Sequence, residues 1–543
     1  MIIRKKPPRS HKLHEPIRHE GSHPRPVTRR DFLAQGLLAS QATLIGSSAM
    51  LGAFFNPRSV FAGTTTLASD ISTLQSSCGI VTNGAGKIPF ICFDLAGGAN
   101  LNGSEALLGG PGGQLDFLTT AGYGKLGLPG DMLPNSANPA GGTFVDTSLG
   151  MAWHSDGAIL RGIKSMASTA AMANTNGAVI AAMSQNDTQN NPHNPMYGIY
   201  DAGANGSLLP LIGTMPTVSG GNSEAPSALI NLTVSPTVVT QSSNITGLVN
   251  TGQLGTIFSN PADAVSVLES TIRLSGGATV GTYGGKLGAV TAMLDDPTTD
   301  AALKQAARCG YVKSTVLVNQ FGDPSSLNPD IDPQIVGATN SIFTAAQYQD
   351  NNFIMTAAVM KMVVNGLAGA GTVSLGGFDY HDSTRATGET RNFQAGQCIG
   401  ACLEYAKRVG MPLMIYVFSD GSLSSTGMID TSAAGRGKFG WQGDNQATAA
   451  TFFLVYNPTG RPTVNPSATT PNQIGSYTSD GSVNTTSSPA ANAVNLLVNT
   501  VILNYMALHG QQGTFSTTIA NNGLGTSLDP LIAFDPIVNG VIS

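Results

Sequence analysis

The chain has little charge, few cysteines and almost none of the common catalytic signatures. Only 11% of its 543 residues are Asp, Glu, Lys or Arg, while Gly, Ser, Thr and Asn are abundant. That composition suits a cell-envelope protein with long loops, and it suits a non-enzymatic surface protein equally well. The five cysteines, Cys78, Cys92, Cys309, Cys398 and Cys402, are odd in number and contain no C-x-x-C pair. Neither a disulfide scaffold nor a zinc ribbon is indicated. Cys398 and Cys402 are four apart in a helical pattern, which reads as two small buried residues on one face rather than a bridge. There is no G-x-S-x-G elbow, no P-loop and no dinucleotide-type Gly-rich turn.

What is present begins at the N-terminus. Thr28-Arg29-Arg30-Asp31-Phe32-Leu33 precedes an uncharged, largely apolar run from Ala34 to Phe55. Paired arginines, Phe-Leu and a weakly hydrophobic segment have the form of a twin-arginine export signal. Ser59-Val60-Phe61-Ala62 offers small residues at the positions a signal peptidase reads, so cleavage is expected after Ala62. The expected destination is the periplasm or cell surface of a bacterium, with the twin-arginine translocase as a transient partner. His11, His14, His19 and His23 read as leader composition. The apolar run holds Gln35, Gln41 and several Ser and Gly, so it is not read as a membrane span.

The first 62 residues hold ten of the 27 basic and three of the 32 acidic residues, which leaves 17 against 29 and a net charge of −12. An acidic mature chain argues against nucleic acid and against an anionic membrane surface as partners. A bound cation would still admit an anionic substrate.

Apolar runs of strand length alternate with longer helical patterns. The strand candidates are 88–93, 178–183, 315–318, 372–375, 413–418 and 452–456. Helical patterns cover about 156–174, 352–368, 391–409 and 490–509. This alternation predicts one α/β domain over 63–543, with a central, mainly parallel sheet and helices on both faces. Long loops or insertions are expected at about 109–150, 215–300 and 457–490. Asn492, Asn495 and Asn499 give the last helix a polar stripe, which suits packing on a domain. His509 falls near its C-terminus, where a cation complements the helix dipole.

In a parallel sheet the carboxyl ends of the strands lie along one edge, where ligands bind. Asp94, Asp379 and Asp420 each follow a predicted strand, and His381 lies two residues beyond Asp379. Converging there, these four would form a divalent-cation site. Ser104 is the nearest candidate nucleophile, and it also reads as a cap for a helix at 105–108. His154 and the Pro-framed His193 are candidates for binding an anion or protonating a leaving group, or are hydrogen-bonded loop histidines.

Short motifs carry a family resemblance. Phe93-Asp94-Leu95-Ala96-Gly97-Gly98-Ala99-Asn100, Trp153-His154, Pro192-His193, Gly377-Phe378-Asp379-Tyr380-His381 and Ser419-Asp420-Gly421 occur in that order. They resemble motifs of a twin-arginine-exported family distantly related to sulfatases, within the alkaline phosphatase/sulfatase superfamily. The resemblance implies an alkaline-phosphatase-like fold and a divalent metal held by Asp94, Asp379, His381 and Asp420. It also implies hydrolysis of small or polymeric phosphate or sulfate esters. The chain departs from the pattern at Asn100, Gly421 and Asn445, where the relatives carry Asp or His. It has no C-x-P-x-R or S-x-P-x-R, which argues against an ordinary formylglycine sulfatase. Two functions stay open: a metal-dependent ester hydrolase, and a non-catalytic binding or assembly protein on a degenerate scaffold.

Overall fold

The computed structural model describes residues 67–78, 86–184, 191–248, 261–276, 297–321, 327–337 and 339–542. The twin-arginine motif, the leader histidines and the Ala62 cleavage site lie outside these residues.

The strands in chain order are β1 (Phe90–Leu95), β2 (Val145–Asp146), β3 (Trp153–His154), β4 (Thr175–Ala181), β5 (Leu209–Gly213) and β6 (Thr237–Val238). They continue as β7 (Ala368–Leu375), β8 (Leu413–Phe418), β9 (Leu423–Ile429), β10 (Phe439–Asp444), β11 (Ala450–Tyr456) and β12 (Gln473–Ile474). Eight form the central sheet, in the order β12-β4-β11-β8-β1-β7-β5-β6. β1 pairs in parallel with β7 and β8, β5 with β7 and β6, and β12 with β4. Only β11 runs against its neighbours β4 and β8.

β1 and β8 have no polar-alternating pattern because both of their faces are covered. Ile91, Phe93 and Leu95 join the core beneath the helices Ala158–Met166, Asn351–Val364 and Ala386–Val409. Phe90 and Cys92 face the helices Met196–Asp201 and Val494–Leu508. The two helices Ala158–Met166 and Ala386–Val409 touch through glycine. A Cβ on Gly396 would lie 2.2 Å from the Ile159 carbonyl oxygen, and one on Gly162 equally close to that of Phe393.

The α/β expectation holds at this level: a mostly parallel sheet has helices on both faces. The segment 315–318 is a correction, since it lies within the helix Pro297–Phe321. A four-residue apolar run does not distinguish strand from helix. Here Val312 and Val316, four apart, pack together on Ile71, Leu74 and Ile272, which is helical spacing. This small helical cluster also contains Ser69–Ser77 and Pro261–Gly276, so the segment at 215–300 is partly helical. A disulfide between Cys78 and Cys309 ties it, a pair that spacing in the sequence did not reveal. Cys398 and Cys402 are free and buried, as expected.

Two further readings change. No helix follows Ser104 at 105–108. His509 is not a cation at the helix end. It is buried, Nε2 accepts from the Ile88 N–H at 3.0 Å and Nδ1 lies 2.8 Å from the Tyr505 carbonyl. Burial pushes its pKa down to about 4. Among the described residues no helix is long and apolar enough to cross a membrane.

The β9–β10 hairpin leaves the carboxyl edge of the sheet just after β8. A buried charge cluster fixes it to the body. Lys438, wholly buried, donates to Glu389 Oε1 at 2.8 Å and to the Asp156 carbonyl at 2.8 Å. Arg385 Nε donates to the same Glu389 oxygen at 3.0 Å, and Arg161 Nη2 to Glu389 Oε2 at 2.6 Å. The Arg385 guanidinium also lies 4.4 Å from the Trp441 ring centroid. Burial alone would raise the Glu389 pKa, but Lys438 and Arg385 outweigh it and hold the carboxyl below its ordinary value. Glu389→Ala removes the carboxylate shared by buried Arg385 and Lys438, of which Lys438 keeps Asp156 Oδ2 at 3.3 Å, and should cost about 3–5 kcal/mol in urea unfolding. Lys438→Met should cost less, because Arg385 and Arg161 still neutralise Glu389. Equal losses would show that the cations do not depend on this one carboxylate.

Candidate functional site

The loops after β1, β4, β5, β7 and β8 meet at the carboxyl edge of the sheet, as parallel topology requires. Asp94 and Asp420 come together there. β1 and β8 are neighbours, with Asp94 in register with Phe418, so Asp420 begins its loop two residues beyond Asp94's partner. Both acids are buried. Asp94 accepts from the Ser223 N–H at 2.7 Å and from Ser223 Oγ at 3.2 Å. Asp420 Oδ1 accepts from the Gly97 N–H at 2.9 Å, and Oδ2 from Asn222 Nδ2 at 3.3 Å. Its backbone carbonyl accepts from Asn191 Nδ2 at 2.7 Å.

The Gly-Gly loop is shaped to this arrangement. Ser419 Oγ receives the N–H groups of Gly98 and Ala99, at 3.1 and 2.8 Å, and donates to the Leu95 carbonyl at 2.6 Å. Gly97 has φ +121, and a Cβ there would lie 2.5 Å from the Asp379 backbone nitrogen. Only glycine allows both that backbone angle and that approach.

Asp379 and His381 reach the same edge but remain at its surface. Their side chains are 54% and 43% exposed and pair with each other, His381 Nε2 to Asp379 Oδ1, at 2.5 Å. Among the described residues no three His, Cys, Asp or Glu side chains gather in a way that could hold a metal ion. The oxygens of Asp94 and Asp420 already accept bonds from Ser223, Gly97 and Asn222. As placed, Asp379 and His381 do not join Asp94 and Asp420 in the four-ligand cluster that the sequence suggested.

The remaining candidates are also engaged. Ser104 Oγ is buried, accepts from Arg385 Nη2 at 2.7 Å and reaches Asn100 Oδ1 at 3.4 Å. His154 is buried and stacked on Phe144, with Nε2 2.9 Å from the Met132 carbonyl and Nδ1 accepting from the Asp156 N–H. Burial first, and then the Lys438 charge, push its pKa down to about 4. His193 lies beside β8. It stacks on Phe418, and its neighbour Asn194 binds Thr372 Oγ1 at 3.0 Å beside β1. His193 Nε2 lies 3.0 Å from Ser184 Oγ, while its buried Nδ1 has no partner. Burial takes its pKa to about 3, so it is neutral at physiological pH. Neither histidine is poised to give a proton near neutrality.

Asp94 is a buried carboxyl whose titration is moved into the physiological range. Burial raises its pKa to about 7, opposed by the Ser223 N–H and reinforced by the Asp420 charge. The sequence did not reveal Asn191, Asn222 or Ser223, because Asn and Ser in Gly-rich loops look the same whether they cap a turn or hold a carboxylate.

A raised pKa means that the folded state holds the Asp94 proton more tightly than the unfolded chain does. Its stabilising contribution is complete below about pH 4 and is lost as pH rises through 7, a difference of roughly 4 kcal/mol at most. Asp94→Asn keeps an acceptor for Ser223 but cannot ionise. Relative to the parent at the same pH, its Tm should therefore climb between pH 4 and 8. The buried histidines weaken both proteins alike in acid and cancel in that difference. A flat or falling difference would show that Asp94 does not carry this proton.

No family model matches the chain, and no curated protein or solved structure matches it either. The ground for its function is therefore the chemistry of the site.

Proposed function

We propose that the chain is an exported, non-catalytic binding or assembly protein on a degenerate alkaline-phosphatase/sulfatase-like scaffold. One observation carries this reading. The buried side chains that a phosphatase or sulfatase chemistry would enlist at this edge are already held by partners of the same fold. Ser223, Gly97 and Asn222 occupy Asp94 and Asp420. Arg385 holds Ser104, and the Met132 carbonyl holds His154. A nucleophile used this way cannot attack without breaking a buried bond, which costs about 1–3 kcal/mol before any chemistry begins.

The departures Asn100 and Asn445 fit this reading. The Asn100 side chain bonds Asn102 and Ser104, and Asn445 accepts from the Ala447 N–H at 3.0 Å. Both serve loop structure. The Cys78–Cys309 disulfide supports an oxidising compartment, in line with export to the periplasm or cell surface.

Two measurements test the proposal. The mature protein, assayed with a panel of phosphate and sulfate esters and added Zn²⁺, Mn²⁺, Mg²⁺ or Ca²⁺, should give no turnover above the metal alone. Metal-dependent turnover lost in Asp379→Asn would overturn the non-catalytic reading. Arg29→Lys with Arg30→Lys should leave an uncleaved precursor in the cytoplasm. Unchanged processing and export would overturn the assignment to the twin-arginine route.

A further inference from the structure

We infer that the groove between the β9–β10 hairpin and the helix Thr120–Lys125 binds a neutral, polyhydroxylated ligand, a glycan chain. The inference deepens the binding reading above by naming the class of ligand. The groove is shallow and open to solvent, with a volume of about 470 Å³, and is lined by Lys125, Ser424, Thr426, Phe439, Gln442 and Asn445, among others.

The lining chemistry selects the ligand. No carboxylate lines the groove. Its one cation, Lys125, already donates to Ser482 Oγ at 2.8 Å and lies 3.9 Å from Asp480. An anionic ligand would thus find no uncommitted positive charge, and the acidic chain would repel it. What the groove offers instead is amides and hydroxyls. Among the described residues, no hydrogen bond engages the Gln442 amide or the Ser424 hydroxyl. Asn445 uses only its Oδ1, on the Ala447 N–H, which leaves its NH₂ free. Thr426 donates to the Gly440 carbonyl and accepts the Met428 N–H at 3.1 Å, which leaves one acceptor lone pair. Phe439 is half-buried and gives an apolar ring beside these polar groups. Paired donors and acceptors next to an aromatic surface match a sugar, which presents hydroxyls at its edge and C–H groups on its face.

The frame is rigid enough to present them. Trp441 is buried under Arg385, and its N–H and carbonyl bond Thr384 and Ser383 at 3.0 and 2.9 Å. The Ser425 hydroxyl ties β9 to the Gly124 carbonyl across the floor of the groove. Binding would therefore cost little ordering of the backbone.

The test is calorimetric titration of the mature protein with neutral hexasaccharides of glucose and of N-acetylglucosamine, and with a sulfated oligosaccharide as the charged arm. Saturable binding of at least one neutral chain is expected, weakened at least tenfold by Gln442→Ala combined with Ser424→Ala. Both positions lie on the hairpin surface, and an unchanged Tm would show that the variant is folded. Phe439→Leu, which keeps an apolar side chain but removes the ring, should also weaken binding. No saturable binding of any neutral chain would overturn the inference. So would an affinity within twofold of the parent in the double variant, or a preference for the sulfated chain that salt abolishes. Ester turnover with glycan binding intact would overturn the non-catalytic reading and leave this site standing. Absence of both would overturn this site alone.

Discussion

Asp94 is a carboxyl group placed on the central strand of a sheet whose two faces are both covered. Much of the carboxyl edge is organised around that cost. A buried carboxylate loses its hydration and must recover it from fixed donors or keep its proton. The loop after β5 supplies Ser223 to Asp94 and Asn222 to Asp420, and the loop before the helix Met196–Asp201 supplies Asn191 to the Asp420 carbonyl. The loop after β1 turns through Gly97 so that its N–H meets Asp420. Four segments distant in sequence are thus held in one arrangement by two acids. The same arrangement gives each of the four carboxylate oxygens a partner within the fold.

The second buried charge centre solves a different problem. Lys438 and Arg385 are deep in the protein, and Glu389 is their common counter-ion. Such a cluster adds less stability than an apolar core of equal volume, since each ion must first be desolvated. What it gives is a unique geometry. The hairpin can dock only where Lys438 reaches Glu389 and Trp441 meets Arg385. Glu105 sits close enough to feel this centre. Burial and then the Glu389 charge raise its pKa, while its oxygens accept from the Ile159 N–H and from Asn392. The loop that carries Ser104 and Glu105 is therefore locked to the same cluster as the hairpin.

The parts of the fold legible in the sequence are those with a dense, uniform signal. β1, β8 and β11 are apolar throughout and stand out as buried strands. Asp94 and Asp420 stand out because they end two of them. β5, with Pro210 near its start, and the half-buried β9, Leu-Ser-Ser-Thr-Gly-Met-Ile, give no such run. The Cys78–Cys309 pair is separated by 231 positions and follows no spacing rule. His154 and His193 were visible as unusual residues in Pro- or Trp-marked segments, but their environment was not. Burial makes both of them neutral, and burial is a property of the packed chain. Asp379 and His381 form the opposite case. Their motif is conspicuous in sequence, yet the fold leaves them at the surface, paired to each other.

The contrast between the two polar regions bears directly on function. A polar group that already has a buried partner gains nothing by meeting a ligand unless that partner is released, and release costs more than an ordinary hydrogen bond returns. A polar group facing water exchanges a water contact for a ligand contact at little cost. The acid pair belongs to the first kind, and the Gln442 amide, the Ser424 hydroxyl and the Asn445 NH₂ belong to the second. The carboxyl edge of this sheet therefore serves as a foundation. It holds the base of the hairpin through Ser419, Asp420 and the Ser422 carbonyl, which accepts the Asn445 N–H at 2.8 Å. In the proposed binding function, recognition falls to the hairpin, where the Gln442 amide, the Ser424 hydroxyl and the Asn445 NH₂ sit on a frame that the buried charges keep in place.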